Sequence, residues 1–525
     1  MRIVLAFLLF WNTGWLLSNL HAAIAARPNI VVILADDLGY GDVHCYAPNT
    51  GKIPTPNIDR LASRGMRFTD AHSSSAVCSP SRYALLTGRY HWRTGKAGIV
   101  PTFGSPMIAP ERLTVASLLK AHGYQTAAIG KWHLGWDWPI PKDKALLFNA
   151  KPISGSGKPA PDQKALWEKV FSQSIPGGPT SRGFSSYFGT DVPNWPPYCF
   201  IENDRTLGIP STFLDTNLLG NNLASLQGPA LPEWKLEQIL PQLGDRACAF
   251  IKGASSQSEP FFLYLPLTSP HTPLSLAPGW QGKSKLNTYA DFVMQTDATV
   301  GQVLDAIDQS GCADKTLVLF TSDNGCAPYI GAAQLEKMGH FPSGPLRGYK
   351  SDVWEGGHRI PFIVQWPGIV KPGSVCHQLT HQADLLATCA AILGTKLPEN
   401  AGEDSFSILP LLRGENHNLR PHAVSQSSSG LLAIRQGAWK LIFGQGSGGW
   451  SKGNDSHPGQ LYNLETDLGE TTNLYANHPE MVAKLTGLMQ QIMEEGRSTA
   501  GPRRTNDIRL PWNVSGQSPP LPRKK

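Results

Sequence analysis

Four short, continuous apolar segments constrain the fold of this chain more than any other feature of its sequence. They are residues 30–34, 126–129, 261–265 and 317–320. Because their apolar residues are consecutive rather than alternating, the segments are typical of strands covered on both faces of a parallel sheet. Helical patterns lie between them, a short one at 114–122 and a long one at 289–308. Strands that alternate with helices predict an α/β fold with a large, mostly parallel central sheet.

The character of the sequence changes after about residue 415. Segments 431–435 and 439–442 have the composition of two antiparallel strands joined by a turn at Gly437. Segment 480–495 has apolar residues at the spacing of an amphipathic helix. We therefore predict a small α+β subdomain over residues 416–500.

The two ends of the chain differ from the rest. Arg2 precedes an apolar stretch at 3–17 and an Ala-x-Ala site within 22–26, which together predict a cleaved secretory signal peptide. No other apolar run is long enough to predict a transmembrane helix. We expect an exported protein, periplasmic or secreted, without a stable membrane anchor. The predicted divisions are a signal peptide over 1–26, a main domain over 27–415, the subdomain over 416–500 and a Pro-rich basic tail over 501–525.

Charge and cysteine usage exclude two classes of function. The chain has 46 Lys and Arg against 40 Asp and Glu, a net charge of +6 over 525 residues. That bias is mild, and no basic stripe or nucleic-acid motif accompanies it, so we expect no nucleic-acid partner. The eight cysteines show no C-x-x-C spacing of the kind found in structural zinc sites. Export permits disulfides, but their pairing does not follow from the sequence.

Polar residues suited to catalysis or metal binding follow each of the four apolar segments. In chain order they are Asp36 and Asp37, Lys131 and His133, His271, and Asp323 with Asn324. Because ligands bind outside the carboxyl ends of the strands in open α/β sheets, we expect these residues to converge at one edge. The carboxylate and amide oxygens suit Ca²⁺ or Mg²⁺ better than Zn²⁺. Either acidic segment alone is also compatible with an ordinary turn, so the metal interpretation depends on their occurring together.

The segment 78–89 carries the most specific signal. It contains Cys-Ser-Pro-Ser-Arg at 78–82 and Thr-Gly-Arg at 87–89. From the residues alone, Cys78 is a disulfide partner, a buried apolar residue or a thiol nucleophile. With Pro and Arg at these spacings, the segment resembles the signature of type I sulfatases, in which the cysteine is oxidised after synthesis to formylglycine.

Six further segments resemble motifs of that family, in the expected order. They are 36–42 and 321–325 (metal motifs), 130–135 (second signature), 270–273 (histidine loop), 346–357 (lysine motif) and 461–474 (the ending of the arylsulfatase A-like branch). The resemblance covers roughly residues 27–495. It implies an alkaline phosphatase-like sandwich in which 27–415 is the sulfatase catalytic domain.

The resemblance also implies a mechanism and its residues. Hydrated formylglycine at position 78 would attack the sulfur of a sulfated small molecule or sulfated glycan, after a formylglycine-generating enzyme has modified the cysteine. One divalent metal, Ca²⁺ in preference to Mg²⁺, would be held by Asp36, Asp37, residue 78, Asp323 and Asn324. The remaining implied catalytic residues are Arg82 at the hydrate, Lys131, His271 and Lys350 at the sulfate oxygens, and His133 as the base that releases sulfate.

Alternatives stay open at this point. A phosphodiester or phosphonate monoester hydrolase would use the same scaffold, and a protein that binds sulfated glycans without turnover would result if Cys78 stayed unmodified. The aromatic residues Trp195, Tyr198 and Phe200 either stack on a sugar or pack locally.

Overall fold

The computed structural model of the protein describes residues 27–508, apart from 97, 149–150, 153–157, 216–217, 219–224 and 454–455. The predicted signal peptide at 1–26 and the last part of the predicted tail, 509–525, therefore lie outside the described residues.

A ten-stranded sheet forms the centre of the fold. From one edge to the other its strands are Ser374–Cys376, Met66–Phe68, Phe362–Gln365, Thr316–Ser322, Asn29–Ala35, Phe261–Pro266, Gln125–Lys131, Ser186–Thr190, Ile201–Glu202 and Arg205–Thr206. The five adjacent strands from Thr316–Ser322 to Ser186–Thr190 are parallel to one another. All four strands predicted from continuous apolar segments belong to this parallel group, which confirms the predicted α/β fold.

Helices cover both faces of the sheet. The helices of the described chain, of which the last packs on a second sheet, are Pro56–Arg64, Cys78–Thr87, Val115–Ala121, Pro161–Phe171, Ile239–Ser255, Thr288–Gln309, Ala332–Lys337, Glu355–His358, Asp384–Ile392, Leu409–Leu412 and Pro479–Glu495. Along the central strand, Val31 and Ile33 pack with the two long helices on one face. Ile30 and Val32 pack on the other face with the helix that begins at Cys78. Both faces are thus apolar, which explains why the strand sequence does not alternate.

A four-stranded antiparallel sheet lies in the predicted subdomain. Its strands, in spatial order, are Ala423–Gln426, Leu432–Gln436, Trp439–Ile442 and Gln460–Asn463. The predicted turn is confirmed, with Gly437 at a φ of 58° that glycine adopts without strain. The helix Pro479–Glu495 buries Leu485 and Met489 against this sheet. The elements expected here are therefore present, while the boundaries 416 and 500 stay a prediction.

Short elements complete the architecture. Three two-stranded sheets pair Lys151–Pro152 with Leu226–Gln227, Thr212–Phe213 with Pro229–Ala230, and Ala71–His72 with Thr380–His381. The 3-10 helices are Tyr40–Asp42, His44–Tyr46, His91–Thr94, Lys142–Leu147, Pro179–Arg182, Leu236–Gln238, Ala313–Lys315 and Pro328–Ile330.

Two further observations concern the helices and the cysteines. In the part of the chain that the structure describes, none of the helices combines the length and apolarity that a bilayer-spanning segment needs. All eight cysteines lie among the described residues, and each is a free thiol.

Candidate active site

The sheet brings the predicted polar clusters to its carboxyl edge. Ala35 is paired with Ser322 in the parallel ladder, so Asp36 and Asp323 leave neighbouring strands at the same level. The backbone amide of Asp37 donates to Asp323 Oδ1 at 3.1 Å, which ties the two metal motifs together. The strands therefore place the acidic residues side by side, as the strand-end argument predicts.

Cys78 lies among these groups at the first position of the helix Cys78–Thr87. All ten residues of that helix are buried, and Cys78 itself is 2% exposed. Burial raises the pKa of its thiol, an effect that the charges of Lys131 and Lys350 only partly oppose. The neighbours of Sγ are Asp36 Oδ1 at 3.6 Å, Lys131 Nζ at 3.6 Å, Lys350 Nζ at 3.6 Å and Asp37 Oδ1 at 3.9 Å. Because only the thiolate is a strong nucleophile, an unmodified thiol is poorly reactive here.

Each carboxylate of the cluster is paired with a buried cation. Lys131 Nζ lies 2.7 Å from Asp36 Oδ2, and Lys350 Nζ lies 2.6 Å from Asp37 Oδ2. Burial alone would raise the pKa of Asp36, but the charges of Lys131 and other nearby cations hold it well below its usual value. This carboxylate is therefore ionised and available as a hard ligand.

Arg82 contacts the acids rather than residue 78. Its Nε and Nη2 donate to Asp323 Oδ2 at 3.0 and 2.8 Å, and Nη1 donates to the carbonyl of Lys131 at 3.1 Å. Nη2 also lies 3.2 Å from Asp36 Oδ1. Burial and the charge of Asp36 raise the pKa of Asp323 to about 6, although Arg82 lowers it. Arg82 thus orients the carboxylates of Asp36 and Asp323.

The cluster contains the kinds of ligand atom that bind a divalent metal. Ligand atoms of Asp36, Asp37, Cys78 and His271 all lie within 4.8 Å of one another. Asn324 Nδ2 donates to Asp37 Oδ1 at 2.8 Å, which leaves its own Oδ1 buried with no hydrogen-bond donor. A buried acceptor without a donor is costly unless a cation or water satisfies it. Asn324 therefore fits the role of an oxygen ligand.

Two residues of the site have left-handed backbones, which are strained in residues other than glycine. Asp37 has a φ of 63° and His133 a φ of 52°. Such conformations cost roughly 1–3 kcal/mol and persist where the surroundings enforce them. Tyr289 donates to the Asp37 carbonyl at 3.2 Å, and Asp191 Oδ1 accepts from the His133 amide at 3.2 Å.

His133 has one nitrogen without a partner. Its Nε2 donates to the carbonyl of Val100 at 3.2 Å, while Nδ1 is buried and unbonded. Burial, and then the charge of Lys131, lowers the pKa of His133 well below its usual value. The imidazole is thus neutral, with the lone pair of Nδ1 free to accept a proton. The ring of Trp195 lies against it at a centroid distance of 5.5 Å.

His271 lies beside Asp37. Its Nδ1 donates to the carbonyl of Thr272, and Nε2 lies 3.5 Å from Asp37 Oδ2. Burial lowers the pKa of His271 to about 4, against the opposing charge of Asp37.

Asp191 is a further polar residue of the site, which no motif in the sequence indicated. It follows the strand Ser186–Thr190, accepts from Trp136 Nε1 at 3.2 Å and positions His133. Burial raises its pKa to about 6. The strand has only five residues, one of them glycine, so its apolar signal is weak. The sole indication in the sequence was an acid three residues after a Tyr-Phe pair.

The question left open about the three aromatic residues is answered by burial. Tyr198 is 1% exposed, and Phe200 stacks on Phe188 at 4.8 Å, so both pack locally. Only Trp195 is directed to the site, through His133.

Comparison with known proteins places these residues in a family context. A family model described as Sulfatase matches residues 28–395. N-acetylgalactosamine-6-O-sulfatase of Bacteroides thetaiotaomicron is 36% identical over 488 residues, which cover 89% of this chain and 93% of that protein. Arylsulfatase A of Homo sapiens is 34% identical over 479 residues, which cover 86% and 84%.

A solved structure from work on the metabolism of multiple glycosaminoglycans by Bacteroides thetaiotaomicron superposes with a TM-score of 0.76. It is 34% identical to this chain and covers 89% of it and 99% of its own chain. The structural similarities confirm the alkaline phosphatase-like fold expected from the sequence.

Proposed function

The chain belongs to the sulfatase family and hydrolyses sulfate esters, and we propose that it does so on a sulfated carbohydrate, with formylglycine formed from Cys78 as the attacking group. The observation that carries this proposal is the position of Sγ, 3.6 Å from both Lys131 Nζ and Lys350 Nζ and beside Asp36 and Asp37. The carbohydrate is inferred from the relative named N-acetylgalactosamine-6-O-sulfatase.

The two lysines supply the charge that sulfate transfer needs. In the active enzyme, Sγ would be replaced by the two oxygens of the aldehyde hydrate, so Sγ marks their place. Lys131 and Lys350 flank this place, where negative charge accumulates on the sulfate oxygens during transfer. Arg82 contacts Asp36 and Asp323 but has no hydrogen bond to Sγ among the described contacts. We therefore assign Arg82 the positioning of the carboxylates rather than the binding of the hydrate.

A single divalent metal fits the acidic side of the site. The residues that would hold it are Asp36, Asp37, residue 78, Asp323 and Asn324. Mg²⁺ usually keeps several waters and binds one or two carboxylates, whereas three carboxylates with an amide oxygen favour Ca²⁺. When bound, the metal supplies positive charge that lowers the pKa of a hydrate hydroxyl and helps to orient it. The buried, unpartnered Oδ1 of Asn324 supports this assignment.

The proposed reaction has two chemical steps. In the first, one hydrate hydroxyl of residue 78 gives its proton to a neighbouring carboxylate and its oxygen attacks sulfur, and the bond from sulfur to the leaving oxygen breaks. The departing alcohol takes a proton from Lys350, or from His271 once the bound anionic sulfate has raised the pKa of that imidazole. In the second, His133 removes the proton of the remaining hydroxyl, the carbon–oxygen bond to sulfate breaks, and the aldehyde re-forms. Water then restores the hydrate. The free lone pair on His133 Nδ1 supports its assignment as the base.

The expectations of export and maturation extend this proposal. We assign residues 1–26 to a signal peptide that directs the enzyme to the periplasm or beyond, and we expect a formylglycine-generating enzyme as its maturation partner.

Two measurements together test the function. Turnover of p-nitrophenyl sulfate is compared with that of p-nitrophenyl phosphate, and the tryptic peptide 68–82 is analysed by mass spectrometry. We expect much faster sulfate turnover and an aldehyde at residue 78. Faster phosphate turnover would favour a phosphoester hydrolase, while an intact thiol without turnover would indicate a protein that only binds sulfated glycans.

A further inference from the structure

Two exposed aromatic side chains contact each other beside Lys350. The ring centroids of Tyr329 and Trp450 are 5.6 Å apart, with an angle of 47° between the ring planes. Tyr329 is 43% exposed and Trp450 is 50% exposed. Large aromatic surfaces are usually buried in a folded chain, and exposed apolar patches often mark binding sites. The proposed reaction does not use Tyr329 or Trp450, so it does not explain why they are exposed.

Tyr329 is carried by the segment that follows the second metal motif. It lies in the 3-10 helix Pro328–Ile330, and its phenol is beside Thr272, the residue after His271. The backbone amide of Lys350 donates to the carbonyl of Cys326 at 2.8 Å, close to this turn. Tyr329 is therefore fixed at the rim of the site, between the histidine loop and the lysine motif.

Trp450 is carried by a glycine-rich loop, residues 444–453, that comes from the four-stranded sheet. The amide of Ser451 donates to Asp352 Oδ1 at 3.0 Å, and the amide of Val353 donates to the carbonyl of Ser447 at 2.8 Å. Trp450 is thus anchored on the two residues that follow Lys350 and Ser351 in the chain.

Glycine is required at one point of this anchor. A Cβ at Gly449 would lie 2.4 Å from the backbone of Ser351, so a side chain there would push the loop away from the lysine motif. The close approach of the two backbones sets the position of Trp450 beside the site.

The same loop lines an open cavity of about 460 Å³. Its lining is made of glycine, serine and glutamine with one charged side chain, that of Lys452. Its polar lining suits hydroxyl groups. A single lysine would favour an anionic substituent.

We propose that Tyr329 and Trp450 bind the sugar ring next to the sulfated residue, and that Lys452 pairs with an anionic group on that part of the substrate. The inference rests on the proposed carbohydrate substrate and adds that the preferred substrate is an acidic oligosaccharide rather than a single sugar. The C–H face of a pyranose ring is apolar and stacks on aromatic rings, while its hydroxyl edges remain free to hydrogen-bond. Binding energy from this remote ring would orient the sulfate ester at residue 78.

The test compares substrate lengths in matched variants. We take the best oligosaccharide substrate from a panel of glycosaminoglycan-derived sulfated oligosaccharides, together with its sulfated monosaccharide. For Trp450→Ala we expect kcat/KM to fall by about ten- to a hundredfold on the oligosaccharide and by less than about threefold on the monosaccharide. Trp450→Phe should restore most of the loss. Phe341→Ala removes another exposed aromatic side chain, 40% exposed, and should change neither.

Lys452→Met gives a second, independent readout. It should lower kcat/KM for oligosaccharides with a neighbouring uronic acid, and the difference from wild type should shrink at high salt. If Trp450→Ala lowers kcat/KM equally on both substrate lengths, or not at all on the oligosaccharide, Tyr329 and Trp450 do not bind the neighbouring sugar ring. A wild type that hydrolyses sulfated monosaccharides and p-nitrophenyl sulfate but none of the oligosaccharides would also overturn this inference. Failure of every sulfate ester would instead refute the proposed function itself.

Discussion

Two buried clusters of acids, histidines and cations in this protein look alike in composition but differ in bonding. The site cluster surrounds Cys78 at the carboxyl edge of the sheet. The second, which we term the interface cluster, consists of His72, Glu355, His358 and Lys440. It lies between the helix Glu355–His358 and the strand Trp439–Ile442. Each holds a group of potential metal ligands within 4.8 Å of one another, and each is buried.

The interface cluster has no spare bonding capacity among its described ligand groups. His72 Nε2 bonds Asp70 at 2.8 Å, and His72 Nδ1 bonds His358 Nδ1 at 3.0 Å. His358 Nε2 lies 2.9 Å from the carbonyl of Val353. The oxygens of Glu355 bond Lys440 at 2.9 Å and Arg359 at 3.2 Å.

The site cluster, by contrast, leaves Asn324 Oδ1 and His133 Nδ1 without partners. The same residue types thus stabilise packing when every lone pair is used, and can support chemistry when some are left free. Proximity of ligand-type residues alone does not distinguish the two.

The largest effect should come from Cys78, the proposed precursor of the nucleophile in the site cluster. Cys78→Ala should lower turnover of any sulfate ester by about four orders of magnitude or more, as expected when a nucleophile is lost. Its unfolding transition should be close to that of the wild type. Cys248→Ala, at a half-exposed thiol, is the control and should be fully active. Substantial turnover by Cys78→Ala would show that residue 78 is not the nucleophile, and the site cluster would then have no demonstrated catalytic role.

The second largest effect should come from metal removal, which we expect to affect the site cluster and not the interface cluster. Dialysis against a strong chelator should reduce turnover by about a thousandfold, and Ca²⁺ should restore it better than Mg²⁺, with Zn²⁺ least effective. Asn324→Ala should weaken metal binding, whereas His358→Ala should not, because its ring nitrogens are already bonded. Full activity in protein shown by elemental analysis to be metal-free would contradict the metal assignment.

The interface cluster should be revealed by stability rather than turnover. Lys440→Met leaves Glu355 and Glu470 buried without their shared cation, which lies 2.9 and 2.8 Å away. Breaking such a buried pair costs about 3–5 kcal/mol in the free energy of unfolding, measurable in urea. Lys252→Met, on an exposed helix face, should stay within about 0.5 kcal/mol. A large loss of turnover with unchanged stability would place this cluster in the catalytic machinery.

The smallest effects should distinguish the roles of the two site histidines, His271 and His133. His271→Ala should slow alkyl or sugar sulfates by about a hundredfold but p-nitrophenyl sulfate much less, because a good leaving group needs little proton transfer. His133→Ala should slow all substrates alike and accumulate sulfate on residue 78, seen by mass after rapid quench. Uniform losses for His271→Ala without any trapped species for His133→Ala would show that the roles are assigned wrongly.

Much of this arrangement could be predicted from the sequence, because it depends on local patterns. The strand Asn29–Ala35 has a continuous apolar sequence, and Asp36 and Asp37 follow it directly. Their meeting with Asp323 follows from the topology of parallel strands. Asp191 was missed because its strand is too short to give a clear pattern.

Other features depend on contacts that no local pattern encodes. His72, Glu355 and Lys440 of the interface cluster come from three distant parts of the chain. The position of Trp450 beside Lys350 results from the packing of one loop backbone on another. Such contacts are set by the tertiary fold as a whole, so residue type alone could not predict them.

The complete burial of the helix that begins at Cys78 has a consequence for how the active enzyme is made. With the cysteine 2% exposed and every residue of its helix buried, the modifying enzyme that we propose would reach the thiol only while that helix is open. Domains of typical stability, about 5–15 kcal/mol, open globally in fewer than about one molecule in a thousand. The proposed oxidation of Cys78 would therefore compete in time with folding, and a chain that folded first would stay inactive. The specific activity of a preparation should thus depend on the fraction of chains that are modified before they fold.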